Sequence, residues 1–162
     1  MTNKKSQKGL ALSRAEGFTL IEILIVIGII AILATIVIIA INPARQFKQA
    51  RDTQRVSNVN AILNAIGQYT ADNKGALPTG ITTTPTNISN TGINLCALLV
   101  PTYMPALTSD PSLTTGAMAD GQISTAECTG AHDTGYKVSQ DSTGRVTVSA
   151  VGEITTAISV TR

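Results

Sequence analysis

The most constraining feature of this 162-residue chain is an uncharged apolar run near its N-terminus. Residues 23–41 read ILIVIGIIAILATIVIIAI and contain no charged side chain. At about 1.5 Å per helical residue the run is roughly 28 Å long, which matches the hydrocarbon core of a bilayer. The run is longer than the ~7 to 15 apolar residues of a secretory signal peptide, and no A-x-A cleavage site follows before Asn42 and Pro43. The pattern therefore favours a membrane span over a cleaved signal.

Positive charge flanks this run on both sides. Four basic residues precede it and four follow it: Lys4, Lys5, Lys8 and Arg14, then Arg45, Lys48, Arg51 and Arg55. The positive-inside rule therefore gives almost no information about the orientation of the span. The polar, Thr-rich remainder of the chain suits an exported domain, so we predict that the N-terminus is cytoplasmic. The four later basic residues are expected to contact anionic headgroups, to pair with acidic groups on neighbours, or to form a solvated helix face.

Glu22 stands directly before the apolar run. An acidic side chain at the centre of a membrane helix costs about 3 kcal/mol, and less at its end, so such residues are kept mainly for function. The alternative is that Glu22 only marks the interfacial end of the span. On its charge alone, both interpretations remain open.

The sequence around Glu22 is informative as a unit. Residues 17–22 read G-F-T-L-I-E, with a short basic segment before them and the apolar run directly after them. This order resembles the type IV pilins and the related pseudopilins of type II secretion. The resemblance implies that a prepilin peptidase removes residues 1–17 as a leader, cutting between Gly17 and Phe18, and methylates the new N-terminus on Phe18. Residues 18–42 would then form a transmembrane helix that becomes the core of a filament.

The resemblance also implies a role for Glu22 in assembly. In this family the carboxylate is thought to meet the N-terminal amine of a neighbouring subunit. Cleavage after Gly17 would create an α-amine on Phe18 with a typical pKa near 8, about one helical turn from Glu22. The two opposite charges can neutralise each other in an apolar environment. The leader differs from the usual pattern at Glu16, where a basic residue is common.

The helix is expected to continue beyond the span, through a neck and an amphipathic segment at residues 43–73. Pro43 lacks a backbone N–H and crowds the preceding turn, so it predicts a kink or local melting. Gly28 is a second candidate for such a helix break. The alternative at Pro43 is a plain helix boundary.

An apolar stripe with helical spacing begins at Val56. It comprises Val56, Val59, Ile62, Leu63, Ile66 and Tyr69 and should pack on a sheet. The opposite side carries small or neutral residues, Ser57, Ala61, Asn64, Ala65 and Gln68. Residues 44–55 carry charges instead, so we expect a charged neck and a buried helix face that begins only near Val56.

Residues 74–162 are expected to form a globular head. Residues 79–94, rich in Thr, Asn, Pro and Gly, predict a surface loop. A short apolar element at residues 96–105 is expected to connect helix to sheet. Strands are predicted at residues 135–140, 145–151 and 154–161 as an antiparallel meander. The predicted fold class is α+β, with a long N-terminal helix packed on a small antiparallel β-meander, like the type IV pilins.

The two cysteines, Cys96 and Cys128, lie far from CxxC spacing and from the single histidine, His132. This argues against zinc or redox chemistry and favours a structural disulfide, worth about 3 to 4 kcal/mol in the loop-entropy model. The segment Asp120-Gly-Gln-Ile-Ser124 lacks the remaining ligands of a calcium loop. No cofactor and no metal site are predicted.

The remaining function classes find little support. His132 has no credible nucleophile nearby in sequence, so an enzyme is not predicted. Twelve basic against ten acidic residues is too even a balance for a nucleic-acid binder. The resemblance implies a structural subunit that is stored in the cytoplasmic membrane as a precursor and assembled into a cell-surface filament for adhesion, motility or DNA uptake. Its implied partners are other copies of itself, prepilin peptidase, an assembly platform with its ATPase, and membrane lipid.

Two alternatives remain open. One is a type II secretion pseudopilin. It is favoured by residues 69–78, YTADNKGALP, where the helix is expected to end and which resemble the same segment of pseudopilins. The cysteine pair and the long polar loop favour a pilin instead. The other alternative is a membrane-anchored binding domain that never polymerises, which leaves the order of Phe18 and Glu22 unexplained.

Overall fold

The computed structural model describes residues 17–113 and 120–162. The predicted leader, apart from Gly17, therefore lies outside the described residues. The chain divides into two units after Asn42, and each is described by itself.

The first unit is the apolar helix α1, Leu20–Ile41. None of its residues is buried within the chain, and it is the one described helix that is long and apolar enough to cross a membrane. An all-round apolar helix of this kind needs lipid or other protein around it.

The helical region is interrupted at Asn42. This residue has φ 47°, in the left-handed region that Asn tolerates better than most residues, and the second helix, α2, runs from Pro43 to Asp72. Pro43 occupies the first helical position, where its missing N–H breaks no helical hydrogen bond. Gly28 lies inside α1, which is continuous through it. Of the two proposed break sites, only Pro43 lies at a helix boundary.

The second unit contains a short helix, α3, and six strands in its described part. Their bounds are α3 Cys96–Leu99, β1 Thr86–Ser89, β2 Leu107–Thr108, β3 Gln122–Ile123, β4 Asp133–Gln140, β5 Val146–Ala150 and β6 Ile158–Thr161. An antiparallel sheet has the order β1-β4-β5-β6, and β2 pairs with β3 separately. The predicted α+β class is confirmed, with a long apolar helix followed by an antiparallel sheet.

The core lies between α2 and the sheet. The buried helix face comprises Val59, Ile62, Leu63, Ala65 and Ile66. Alternate residues of β5, Val146, Val148 and Ala150, are buried opposite it, as the alternating pattern predicted. Two helix positions differ from prediction: Val56 is 44% exposed, whereas Ala65 is buried.

One disulfide and one aromatic contact hold the connector, residues 96–105, to this core. Cys96, at the start of α3, is joined to Cys128 by a disulfide that closes a loop with a sequence separation of 32. Tyr69 near the end of α2 packs edge-on against Tyr103, with ring centroids 5.7 Å apart. The exit of α2 is thereby fastened to the segment that leads into the small sheet.

Two predicted features of the head are wrong. The expected loop at residues 79–94 contains strand β1, whose Ile88 is completely buried and whose Thr86 pairs with Val138 of β4. The last strand begins at Ile158 rather than at residue 154, because residues 153–155 turn their backbone N–H groups towards α2.

Candidate processing and assembly site

The predicted cleavage site lies in an irregular segment directly before α1. Gly17, Phe18 and Thr19 are in neither helix nor strand, and Phe18 is 81% exposed. With Glu22 these three residues line a shallow cleft of about 270 Å³. The peptide bond between Gly17 and Phe18 is therefore accessible and free of helical hydrogen bonds, as a peptidase substrate must be.

Thr19 and Glu22 form a capping box at the start of α1. The hydroxyl of Thr19 accepts a hydrogen bond from the backbone N–H of Glu22 at 3.2 Å, and the Glu22 carboxylate accepts one from the backbone N–H of Thr19 at 3.4 Å. Such a box satisfies N–H groups that the helix leaves unpaired, and a carboxylate in the first turn also interacts favourably with the helix dipole. Glu22 therefore has a structural role within its own chain.

The capping box holds the Glu22 carboxylate close to the nitrogen that cleavage would release. The carboxylate contacts the backbone N–H of Thr19, and consecutive Cα atoms are about 3.8 Å apart, so the nitrogen of Phe18 is one residue further along. Cleavage would place a positive charge beside this carboxylate. The geometry therefore suits a charge pair within a chain.

A second cluster of charges lies in the head, at residues of the predicted charged neck. Arg55 is only 2% exposed and binds both carboxylate oxygens of Asp110, with Nε–Oδ2 at 2.7 Å and Nη2–Oδ1 at 2.8 Å. Its Nη1 also donates to Asp52 at 2.7 Å and to Glu153 at 3.1 Å. The expectation that the buried face of α2 begins only near Val56 is therefore wrong. It begins at Asp52, because partners in the head satisfy the charges of Asp52 and Arg55.

Asp52 connects α2 to the loop between β5 and β6. Its two carboxylate oxygens accept backbone N–H groups from Glu153, Ile154 and Thr155 at 2.8 to 3.0 Å. Hydrogen bonds from these N–H groups, the one from Glu153 above all, hold the pKa of Asp52 well below its usual range. The carboxylate therefore acts as an anion bound by a loop of its own chain.

Gly152 allows this loop to approach Asp52. A Cβ atom at this position would lie 2.1 Å from the carbonyl oxygen of Thr155 and 3.1 Å from both carboxylate oxygens of Asp52. We expect Gly152→Ala to lower the free energy of unfolding by about 1 to 3 kcal/mol, because the loop must move off the carboxylate. Thermal unfolding in detergent measures this loss. Gly67→Ala is the matched control: it has open space around it within α2 and should stabilise by about 0.5 to 1 kcal/mol, and equal effects of the two would contradict the prediction.

Glu153 makes the head sensitive to acid. Hydrogen bonds from Arg51, with both N–O distances at 2.5 Å, lower the pKa of Glu153 to about 2 from an ordinary value of 4.5. A carboxylate with a lowered pKa stabilises the folded state above the unfolded pKa and loses that contribution as pH falls through the folded pKa. We expect the difference in free energy of unfolding between the wild type and Glu153→Gln to be constant above about pH 5. It should shrink as the pH falls from about 4.5 to 2. Denaturant unfolding across this range measures it, and a difference independent of pH would contradict it.

His132 lies in a loop, and its side chain is buried. It lies just before β4, is 3% exposed, and its Nδ1 lies 3.1 Å from the carbonyl oxygen of Gly130. Within residues 17–113 and 120–162, no group of three or more His, Cys, Asp or Glu side chains is placed to hold a metal ion. Asp120 instead accepts the backbone N–H of Gln122 in a turn.

The roles of Asp52, Asp110 and Glu153 were not predicted from the sequence. Their partners are far apart in sequence, as with Arg55 and Asp110, which are separated by 55 positions. The one available signal was that Asp52 and Arg55 continue the apolar stripe of α2 backwards. These two charged residues and the apolar stripe form one buried face of α2, with the charges at its N-terminal end.

Comparison with known proteins agrees with the geometry of the N-terminal segment. A family model described as the prokaryotic N-terminal methylation motif matches residues 12–38. The chain is also 39% identical over 82 residues to the type IV wide pilus major component PilA4 of Thermus thermophilus. That match covers 46% of this chain and 61% of the relative, so the chain spans less than two thirds of the relative's length. No solved structure gave a significant match. This chain therefore carries the N-terminal methylation motif of prokaryotic prepilins and is similar in sequence to a type IV wide pilus component.

Proposed function

We propose that this protein is a structural subunit of an extracellular type IV pilus-like filament. The observation that carries the proposal is the prepilin motif, which runs into a helix with no buried residue. A helix that is apolar all round requires lipid before assembly and other copies of itself afterwards. A compact head with its own core is the part that would remain on the surface.

Processing would proceed in the order that the motif indicates. Prepilin peptidase would remove residues 1–17 on the cytoplasmic side and methylate Phe18. The precursor would be held in the cytoplasmic membrane by residues 18–42, with residues 43–73 leading into the head at residues 74–162. An assembly platform and its ATPase would then move the subunit from lipid into the filament, where adhesion, motility or DNA uptake are candidate uses.

Glu22 is proposed to set the position of each incoming subunit. A carboxylate in an apolar filament core requires a positive partner, and the amine of Phe18 on a neighbouring chain supplies one. The capping box supports this role, because it already holds the carboxylate at the end of the helix next to the N-terminus. The helix break at Asn42 and Pro43 would let α1 adjust its direction during packing without disturbing α2.

A type II secretion pseudopilin is the second candidate within the filament class. The exit of α2 favours it: the helix ends at Asp72, and Gly75 follows in the left-handed region at φ 90°. The similarity to a pilus component favours the pilin. A membrane-anchored domain that never polymerises remains the candidate of a different class.

Mass spectrometry of sheared surface filaments tests the proposal. We expect this chain to be present and to begin with a methylated Phe18. Full-length protein found only in the cell membrane would favour the non-polymerising anchor. Processed protein found in secretion-dependent pseudopili and absent from surface filaments would favour the pseudopilin.

A further inference from the structure

The two edges of the four-stranded sheet differ in what lies beside them. Outside β1 the chain returns at Ile93, which forms a parallel bridge with Ile88. The N–H of Ser89 donates to the carbonyl of Ile93 at 3.2 Å, and the N–H of Ile93 donates to the carbonyl of Asn87 at 2.9 Å. At the other edge β6 is paired with β5 in an unbroken register, and no strand in the described part of the chain pairs with its outer side. One edge is therefore covered, and the other is open to a further strand.

The backbone groups that β6 presents at this open edge are those of Ser159 and Thr161. At the end of the ladder, Val146 and Arg162 exchange two backbone hydrogen bonds, of 2.7 and 2.9 Å. Bonded and non-bonded pairs alternate along an antiparallel ladder, so the backbone of Val160 also faces β5, while the residues on either side of it face outwards. Both outward residues are exposed. The edge therefore offers two N–H and two C=O groups to another strand.

Helix α2 borders this open edge. Val56 and Ile158 line one crevice of about 280 Å³, and Asn64 accepts a hydrogen bond from Nη1 of Arg162, directly after β6. Val56 and Asn64 are about 12 Å apart along a helix, and Ile158 and Arg162 are about 14 Å apart along a strand. This side of α2, which includes the uncharged Asn60, therefore runs beside the whole of β6. Helix and strand edge together form a groove for one extended segment.

The two ends of the groove select different side chains. In a strand added to β6, residues beside Ile158 and Arg162 would point to the same side of the sheet as these two do, towards α2. The crevice at Ile158 is apolar, because Val56 and Ile154 are 44% and 42% exposed there. Arg162 lines a second crevice of about 550 Å³ with Leu63, which leaves room for a carboxylate beside the guanidinium. The groove therefore fits an apolar and an acidic residue about four positions apart.

The charges favour an acidic segment over a second copy of β6. Arg162 stands at one end of the groove, and Arg45 and Asp52 line the crevice at the other end. The Asp52 carboxylate already accepts three backbone N–H groups, so positive charge prevails at both ends. Full antiparallel pairing of two β6 strands would bring the Arg162 of a second copy beside Ile158 and towards Arg45. Like charges would then meet, whereas an acidic segment is attracted.

We propose that the groove between β6 and α2 binds an extended, acidic polypeptide segment of another protein as a fifth strand of the sheet. The main chain of the segment would bond to Ser159 and Thr161. An apolar side chain would enter the crevice at Ile158, and a carboxylate would pair with Arg162. In such strand addition, main-chain hydrogen bonds supply affinity and pockets for alternate side chains supply specificity. The inference concerns the second unit alone and stands or falls independently of the proposed filament.

The experiment uses the full chain in detergent micelles and two fluorescein-labelled peptides, one for each strand direction. Their sequences are Ser-Asp-Thr-Val-Thr-Leu-Ser and the reverse, Ser-Leu-Thr-Val-Thr-Asp-Ser. Control peptides carry Lys in place of Asp. Fluorescence anisotropy measures affinity, and amide hydrogen exchange followed by nuclear magnetic resonance shows which N–H groups of β6 the peptide covers.

We expect one of the two acidic peptides to bind and to slow amide exchange at Ser159 and Thr161 by about tenfold or more. The N–H of Val160 already bonds to β5 and should not change. Arg162→Gln should weaken binding of the acidic peptide by about tenfold, because a charged hydrogen bond is lost. The control Lys137→Gln should have no effect, because this exposed residue lies between the buried Tyr136 and Val138 and so points away from α2.

Ser159→Pro tests the edge itself. It removes an outward N–H and leaves the bonds to β5 in place, so it should weaken binding by about three- to tenfold without changing the midpoint of thermal unfolding. Should this variant fail to fold, the exchange pattern of the wild type still decides the question.

Four results would overturn the proposal. Binding without slower exchange at Ser159 and Thr161 would exclude strand addition. Equal affinity for the Asp and Lys peptides would exclude the pairing with Arg162. No binding of either acidic peptide up to about 1 mM would exclude this class of partner. Slower exchange at the two positions as protein concentration rises, with no peptide present, would show that a second copy occupies the edge instead.

Discussion

Glu22→Ala is expected to abolish surface filaments while cleavage after Gly17 continues. Under the proposed function, the variant leaves the amine of a neighbouring Phe18 buried without a partner. Removing one partner of a buried ion pair costs about 3 to 5 kcal/mol, which corresponds to about two to four orders of magnitude in an association constant. Electron microscopy of sheared filaments measures assembly, and the mass of the membrane-bound subunit reports cleavage.

Glu22→Gln separates the charge of this residue from its capping role. Its amide oxygen can still accept the backbone N–H of Thr19, which the carboxylate accepts at 3.4 Å, but it carries no charge. We expect this variant to lose filaments as well. Normal filament yield with Gln and loss with Ala would assign Glu22 to helix capping alone and would refute the proposed charge pair.

Arg55→Met is expected to destabilise the head by about 3 to 5 kcal/mol. The guanidinium is 2% exposed and binds Asp110 through two nitrogens while also bonding Asp52 and Glu153. Its hydrogen bonds to Asp110 act with those to Asp52 to raise its own pKa, so it stays charged at every accessible pH. Burial raises the pKa of Asp110, but the hydrogen bonds from Arg55 and Ser112 outweigh this and lower it overall. Without Arg55, Asp110 is left as a buried charge with too few partners.

Denaturant unfolding of the processed subunit in detergent, followed by the near-ultraviolet signal of its tyrosines, measures this loss. Lys48→Met is the control on the same helix, and as an exposed residue it should change stability by no more than about 0.5 kcal/mol. Arg55→Met combined with Asp110→Asn should recover part of the loss, because it removes the uncompensated charge. A double variant as unstable as the sum of its single variants would show that Arg55 and Asp110 act independently.

Much of the fold was predictable because it depends on local periodicity. An uncharged run predicts α1 by its length alone, and the spacing of Val59, Ile62 and Ile66 predicts the buried face of α2. The alternation of Val146 and Val148 likewise predicts which face of β5 is buried. The capping box was not predicted, although its two members, Thr19 and Glu22, stand three apart in the motif.

Strand β1 was not predictable in the same way. It has a single buried apolar residue, Ile88, among polar neighbours, and it exists because its backbone pairs with β4. A strand of four residues at the edge of a sheet takes its stability from that pairing more than from its own composition.

The sequence by itself determined that this chain has an apolar helix with a processing motif at its start, because both are properties of neighbouring residues. Only the tertiary structure decided whether the charges of Asp52 and Arg55 face water or are buried. A charged side chain on a helix is predicted to face water unless a partner is known. Here the partners are Asp110 and the backbone of residues 153–155, which only folding brings to the helix, so the charges become buried and hold the loop between β5 and β6 against α2.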